Sequence, residues 1–315
     1  MKRERGRLTR AQQRALDAFD GELVRRNRAP TTRERLVGTA RRFLERTPKP
    51  LRRVTREDVR RYLAGRRDEL CAVSQEGEAY RLRSFFKVLV DLGLVKESPA
   101  EGLDVKPAAR ADKPALSEAQ VQALLVRALD EPGRGGYVSR ACRLRDRACL
   151  ELLYGLGLRR SEACAARLGD LSLADGTLLV RPAKRGKHRT LPLPPAAVPW
   201  LRRYMVEARP LLARRASQPA DHLLLAKSGR PLDLQNVNLL VRRIARRAGI
   251  RDAHPHGIRR SLATHLLRAG VSERAIQLLL GHAKLTTTAA YLSVQPDELR
   301  RTVALLDRGR GSRSS

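Results

Sequence analysis

Between Lys96 and Lys113 the chain reads Lys-Glu-Ser-Pro-Ala-Glu-Gly-Leu-Asp-Val-Lys-Pro-Ala-Ala-Arg-Ala-Asp-Lys and then meets Pro114. Proline lacks a backbone donor and clashes with the preceding helical turn, so no helix crosses Pro99, Gly102, Pro107 and Pro114 in so polar a stretch. The chain therefore has to fold as two separate units, and 315 residues suit two domains of about 100 to 200 residues each. The expected division is an N-terminal helical domain over 1–95, a linker over 96–113 and a larger domain over 114–295. A last helix and a disordered basic Gly/Arg/Ser tail are expected over 296–315.

Within the first unit, apolar residues recur three and four apart on one face, as in Leu16, Phe19 and Leu23. Similar stripes run from Arg35 to Glu45, from Thr55 to Leu70 and from Ala79 to Leu92, and Thr55 with Asp58 is close to a capping box. This predicts a four-helix unit. In the second unit, Ser117 caps a helix to about Asp130, a glycine-rich loop over 133–136 follows, and another helix ends at Gly155 to Gly157. A helix over Ser161 to Leu168 leads to Thr177-Leu-Leu-Val and His188-Arg-Thr-Leu-Pro-Leu, two runs that read as a hairpin around Lys184-Arg-Gly-Lys. The remainder is helical with breaks at Pro210, Gly229 to Pro231, Gly249 to Pro255, Gly270 and Gly281. The fold class is mainly α with a small antiparallel β-hairpin or sheet.

Lys and Arg number 65 against 33 Asp and Glu, a net charge of +32 spread along the chain in short Arg-Arg pairs. Self-repulsion on that scale points to a polyanion as the normal partner. Aromatic residues make up 3% of the chain, too few for a base-stacking platform, so the duplex backbone is the better match. No secretory h-region follows Met1-Lys-Arg-Glu-Arg and no apolar run is long enough to span a bilayer, so a cytoplasmic, DNA-associated protein without membrane contact is expected. Cys71, Cys142, Cys149 and Cys164 lack metal-type spacing and are expected to be reduced, buried small side chains.

Four of the six histidines fall between His254 and His282. His256 and Arg259 lie three apart and would share a face if a helix starts there, although His256 could equally cap that helix. Leu280-Gly281-His282 is followed by Thr286-Thr287-Thr288 and Tyr291. Together with Gly157-Leu158-Arg159, Lys184 and His256-x-x-Arg259, these pieces resemble, in order and spacing, the signature of the tyrosine recombinase (phage integrase) family in its compact Xer-like form.

The resemblance covers most of 114–295. It implies an N-terminal core-binding domain and a mixed α/β catalytic domain that clamp double-stranded DNA, with catalytic residues Arg159, Lys184, His256, Arg259, His282 and Tyr291. Arg159 and Arg259 would hold the phosphate, His282 would add a hydrogen bond, His256 would take the proton of the Tyr291 nucleophile, and Lys184 would protonate the leaving 5′ oxygen. Lys187 remains an alternative to Lys184. Glu162 could hold an arginine in place or be an ordinary first-turn glutamate. Arg260 departs from the family, which usually has histidine there.

The reaction so implied is site-specific recombination through a 3′-phosphotyrosyl intermediate and a Holliday junction, with no cofactor and no metal. The resemblance further implies a homo- or hetero-tetramer on DNA joined through the C-terminal helix, with a sister recombinase as a partner to be considered. With core-binding helices expected to begin near residue 9, the arm-binding domain of phage-style integrases is not expected in front of them. Two other readings stay open at this level: supercoil relaxation of the type IB topoisomerase kind, and a non-cleaving DNA-binding protein on the same fold.

Overall fold

A computed structural model describes residues 8–66, 69–103, 114–130, 136–181, 188–281 and 296–305. The chain divides into two compact units, Met1–Asp112 and Lys113–Ser315.

The first unit holds helices α1 (Arg10–Arg25), α2 (Pro30–Arg46), α3 (Arg56–Ala64) and α4 (Ala72–Asp91). Local capping chemistry sets two of the starts. The Gln12 N–H donates to Thr9 Oγ1 at 3.2 Å and the Thr9 N–H to Gln12 Oε1 at 2.9 Å; Thr55 and Asp58 exchange the same pair of bonds ahead of α3. Three boundaries differ from the periodicity, the first being the start of α2 at Pro30 rather than Arg35. Helix α3 stops before Gly65 rather than at Leu70, and α4 begins at Ala72 rather than Ala79, because its polar first half, Ser-Gln-Glu-Gly-Glu, masks the helical pattern. All four phenylalanines of the chain lie in this core, with Phe19 edge-on to Phe85 at 5.1 Å and Phe43 edge-on to Phe86 at 5.6 Å. Each such burial contributes roughly 1.5–3 kcal/mol, and rings committed to a core are withdrawn from any stacking role.

In the second unit α5 (Glu118–Arg127) is capped by Ser117, whose Oγ accepts from the Gln120 N–H at 3.1 Å. Helix α6 (Tyr137–Gly155) is buried without interruption from Leu144 to Gly155, which makes it the central strut of the unit. Helix α7 (Arg160–Ala165) leads into an antiparallel sheet of β1 (Leu171–Ser172), β2 (Thr177–Val180) and β3 (Arg189–Pro192), in that spatial order. Leu178 pairs with Leu171 on one side and Leu191 on the other. The hairpin reading holds for β2 and β3, and β1 adds a two-residue strand too short to leave an alternating pattern.

Pro210 does not break the chain as expected. Helix α8 (Val198–Arg203) continues through a π-helical turn, Tyr204–Ala208, into α9 (Arg209–Ala213). The wider turn accommodates a residue that has no N–H to give. Tyr204 is fully buried there, donating to the Leu223 carbonyl at 3.0 Å and accepting from the Leu225 N–H at 3.1 Å. Helices α10 (Leu234–Arg247), α11 (Pro255–Arg268), α12 (Glu273–Leu280) and α13 (Pro296–Ala304) complete the unit. Helix α13 packs on α12 and β3 of its own domain, with Val303 only 1% exposed.

No disulfide forms among the described residues. Cys149 is buried, Cys142 and Cys164 are half-buried, and Cys71 is exposed at the start of α4, so the expectation of burial fails for it. None of the described helices is long and apolar enough to cross a membrane.

The first residues of the unit are tied to α11. Ser261 Oγ accepts from the Leu116 N–H at 2.8 Å, and His265 lies between the Leu116 carbonyl and the Tyr154 hydroxyl, 2.8 Å from each. The neutral ring serves both contacts when Nε2–H donates to Leu116 and Nδ1 accepts from Tyr154. Burial, with Arg268 adding to it, lowers the His265 pKa from its ordinary value against the opposing pull of the Leu116 carbonyl and Glu118. A lowered histidine contributes stability above its unfolded pKa, and that contribution is lost as pH falls from about 6.5 toward the folded value. The thermal midpoint is therefore expected to drop between about pH 7.5 and pH 5.5, and His265→Gln is expected to flatten this part of the profile. Parallel profiles for the two proteins would refute the assignment.

Candidate active site

Helix α6 ends in a turn that only glycine can make at residue 157. Gly157 has φ +59°, and a Cβ there would lie 2.5 Å from Leu280 and 2.7 Å from Leu262. The close approach sets the next residue but one, Arg159, at the N-cap of α7 and against the C-terminal end of α12. Arg159 donates to Glu162 Oε1 at 2.9 Å through Nη1 and to the Gly281 carbonyl at 2.9 Å through Nη2, and its own N–H reaches Glu162 Oε2 at 2.8 Å.

Arg259 arrives from α11 and donates to the carbonyls of Gly157 and Leu280. Its Nη1 lies 3.8 Å from Glu162 Oε2. A third guanidinium, Arg189 at the start of β3, takes both oxygens of Glu162 at 3.1 and 3.0 Å and the Leu279 carbonyl at 3.3 Å. The three final carbonyls of the α12 end, Leu279, Leu280 and Gly281, are thus each met by an arginine. That end carries the negative pole of the helix, so the cations complement it.

Glu162 is the hub. Its side chain is 2% exposed, against 5% for Arg259, 14% for Arg189 and 43% for Arg159. Burial alone would push its pKa up, but the hydrogen bonds and charges of Arg189, joined by Arg159, outweigh it and hold the carboxyl below its ordinary value. Burial, then the neighbouring Arg159, pushes Arg259 down to about 10, which leaves it a cation at neutral pH. Three guanidiniums against one carboxylate give 3 − 1 = +2 within this cluster, and Arg159 is the member most open to solvent.

His256 is exposed at the second position of α11, its ring stacked at 6.4 Å on that of His254. His254, not His256, caps the helix, accepting the Gly257 N–H on Nδ1 at 3.0 Å, with Pro255 in the first turn where its missing donor costs nothing. Arg260 donates to the Pro114 carbonyl at 3.2 Å. Lys184, Lys187, His282 and Tyr291 lie outside the described residues; in sequence His282 directly follows Gly281, and Tyr291 precedes α13 by five positions. No group of three or more His, Cys, Asp or Glu placed to hold a metal ion occurs among the described residues.

Glu162 is therefore a first-turn glutamate of α7 that also holds an arginine, so the two readings its position left open do not exclude each other. Arg189 escaped the sequence reading. One arginine in a chain with 65 Lys and Arg gives no local signal, and its place beside Glu162 follows only from β3 lying against the end of α12.

Residues 115–298 match the Phage integrase family. The tyrosine recombinase XerD of Xanthomonas axonopodis pv. citri (strain 306) is 39% identical over 227 residues, 70% of this chain and 71% of the relative. The tyrosine recombinase XerC of Mycobacterium sp. (strain KMS) is 34% identical over 293 residues, 90% of this chain and 95% of the relative. A crystal structure of a lambda integrase tetramer bound to a Holliday junction shares the fold at a TM-score of 0.67 and 19% identity, covering 89% of this chain and 76% of that one. Taken with the arginine cluster at the end of α12, these matches make the chain a member of the phage integrase family, an Xer-like tyrosine site-specific recombinase.

Proposed function

We propose that this chain cuts duplex DNA one strand at a time through Tyr291 and reseals it after strand exchange. The Tyr291 oxygen attacks the scissile phosphorus, the bond from phosphorus to the 5′ oxygen breaks, and the enzyme stays attached through a 3′-phosphotyrosyl link. Attack by a 5′ hydroxyl of another strand reverses the step, conserving the bond energy without ATP and passing through a four-way junction. His256 accepts the tyrosine proton, and Lys184 supplies one to the leaving oxygen, with Lys187 as the alternative donor.

The observation that carries this reading is the +2 cluster of Arg159, Arg259, Arg189 and Glu162. A pentacoordinate phosphorus transition state bears one more negative charge than the diester it comes from, so fixed cations favour it selectively. Arg159 and Arg259 are the donors to the non-bridging oxygens, and His282 adds a third hydrogen bond. The other five tyrosines are less suited: Tyr62, Tyr154 and Tyr204 are buried, and Tyr80 and Tyr137 belong to α4 and the start of α6. The net charge of +32 supports duplex DNA as the partner and a DNA-associated, cytoplasmic location. The lambda integrase tetramer on a Holliday junction supports a four-protomer assembly for this chain, homomeric or with a sister recombinase. In that assembly α13 leaves its seat on α12 and β3 and docks on a neighbour.

The test is covalent capture. A pool of nicked duplexes from the DNA flanking its own gene is incubated with the protein, denatured, and sequenced from the protein-bound fraction. Recovery of one short sequence, attached through its 3′ phosphate, is expected. Relaxation of supercoiled plasmid without any sequence requirement would favour the topoisomerase reading, and tight binding with no adduct from any duplex would overturn strand cleavage.

A further inference from the structure

We propose that Arg189 is a positioning residue for strand cleavage, fixing Glu162 so that Glu162 presents Arg159 to the scissile phosphate. The inference rests on the strand-cleavage reading above. Arg189 spends its guanidinium on protein: Nη1 and Nη2 on the two Glu162 oxygens and Nε on the Leu279 carbonyl. With its side chain 14% exposed against 43% for Arg159, it lies beneath the cluster while Arg159 faces outward.

Two further observations give it a place in the machinery rather than in general packing. First, its guanidinium fills the space beside Gly281: a Cβ there would lie 2.8 Å from Nη1 and 2.9 Å from Cζ. Gly281 has φ +64° and immediately precedes His282, so Arg189 and this glycine together define where the chain leaves α12. Second, Arg189 opens β3, at one end of the segment that carries Lys184 and Lys187. The other end is held by Arg181, whose Nε donates at 2.8 Å to Asp170, a carboxylate with a fully buried side chain. Arg189 thereby ties the start of β3 to Glu162 and to the end of α12.

A bare positive charge would not do the same. The three donors of an ammonium diverge from one atom, whereas the planar guanidinium sets separate nitrogens on both carboxylate oxygens and the Leu279 carbonyl, and rotation of Glu162 would swing the exposed Arg159 away from a fixed phosphate.

The experiment measures single-turnover adduct formation on a nicked duplex recovered by the capture above, for wild type, Arg189→Gln, Arg189→Lys, Glu162→Gln and the Arg189→Gln/Glu162→Gln double variant. Thermal midpoints verify folding. The rate at saturating protein is expected to fall about 10- to 100-fold in Arg189→Gln, while the half-saturating protein concentration stays within about twofold. Arg189→Lys is expected to recover only part of the rate, and it serves as the test variant if Arg189→Gln does not fold. Adding Arg189→Gln to Glu162→Gln is expected to cost little more, because both act along one line of contact. A folded Arg189 variant that cleaves within about twofold of wild type, full rescue by lysine, or additive losses in the double variant each overturn the inference alone. A wild-type protein that forms no adduct with any duplex overturns the strand-cleavage reading, and this inference with it.

Discussion

On the strand-cleavage reading, replacing Tyr291 with phenylalanine is expected to abolish the protein–DNA adduct, a loss of at least about 10⁴-fold, because it removes the proposed nucleophilic oxygen. The substitution removes one oxygen and no charge at neutral pH. Phosphate contacts made by arginines and lysines are untouched, so duplex affinity at a fixed salt concentration is expected to stay within about twofold. The measurement pairs adduct yield after denaturation with binding of the same nicked duplex under native conditions. An adduct that survives in Tyr291→Phe would assign the nucleophile elsewhere.

Arg259→Ala is expected to lower the cleavage rate by about 10²- to 10³-fold, the loss typical of one preorganised donor to a developing oxyanion, or about 2.7–4 kcal/mol. Its effect on stability is expected to be smaller, and two opposing contributions explain why. Removing Arg259 leaves the Gly157 carbonyl without that donor, which costs about 1–3 kcal/mol for a buried acceptor. It also removes a cation that burial penalises and that Arg159 and, less strongly, Arg189 repel, as the depressed Arg259 pKa reflects. Glu162 keeps Arg159 and Arg189 in either case. The variant should therefore fold and bind DNA while cutting slowly. Arg259→Lys should be nearly as slow, since an ammonium lacks the fork that spans the carbonyls of Gly157 and Leu280. A variant that unfolds but, once stabilised by bound DNA, cuts at the wild-type rate would show Arg259 to be structural only.

Much of this protein is written locally. Thr9, Thr55 and Ser117 start their helices through bonds to residues three positions on, and such bonds need nothing but the sequence around them. The helix breakers between Lys96 and Pro114, and the glycines that end helices α6 and α12, are equally local, because the backbone conformations they permit belong to the residue itself. His256 and Arg259 could be paired by their local spacing, whereas Arg159 was picked out by the resemblance that the order of all the motif pieces carries.

Tertiary structure decided what those residues do together. Arg259 reaches a carbonyl 102 positions earlier in the chain, and Glu162 is joined from β3 by an arginine 27 positions later. Neither contact leaves a trace in the residues between. The continuation of helix through Pro210 and the seat of α13 on α12 and β3 were also beyond local reading, since each depends on partners brought close only by the packed core. Periodicity and capping reflect forces that act within a few residues. The arginine cluster at the end of α12 reflects long-range packing, in which a buried carboxylate and three carbonyls of one helix end had to find their cations wherever the fold delivered them.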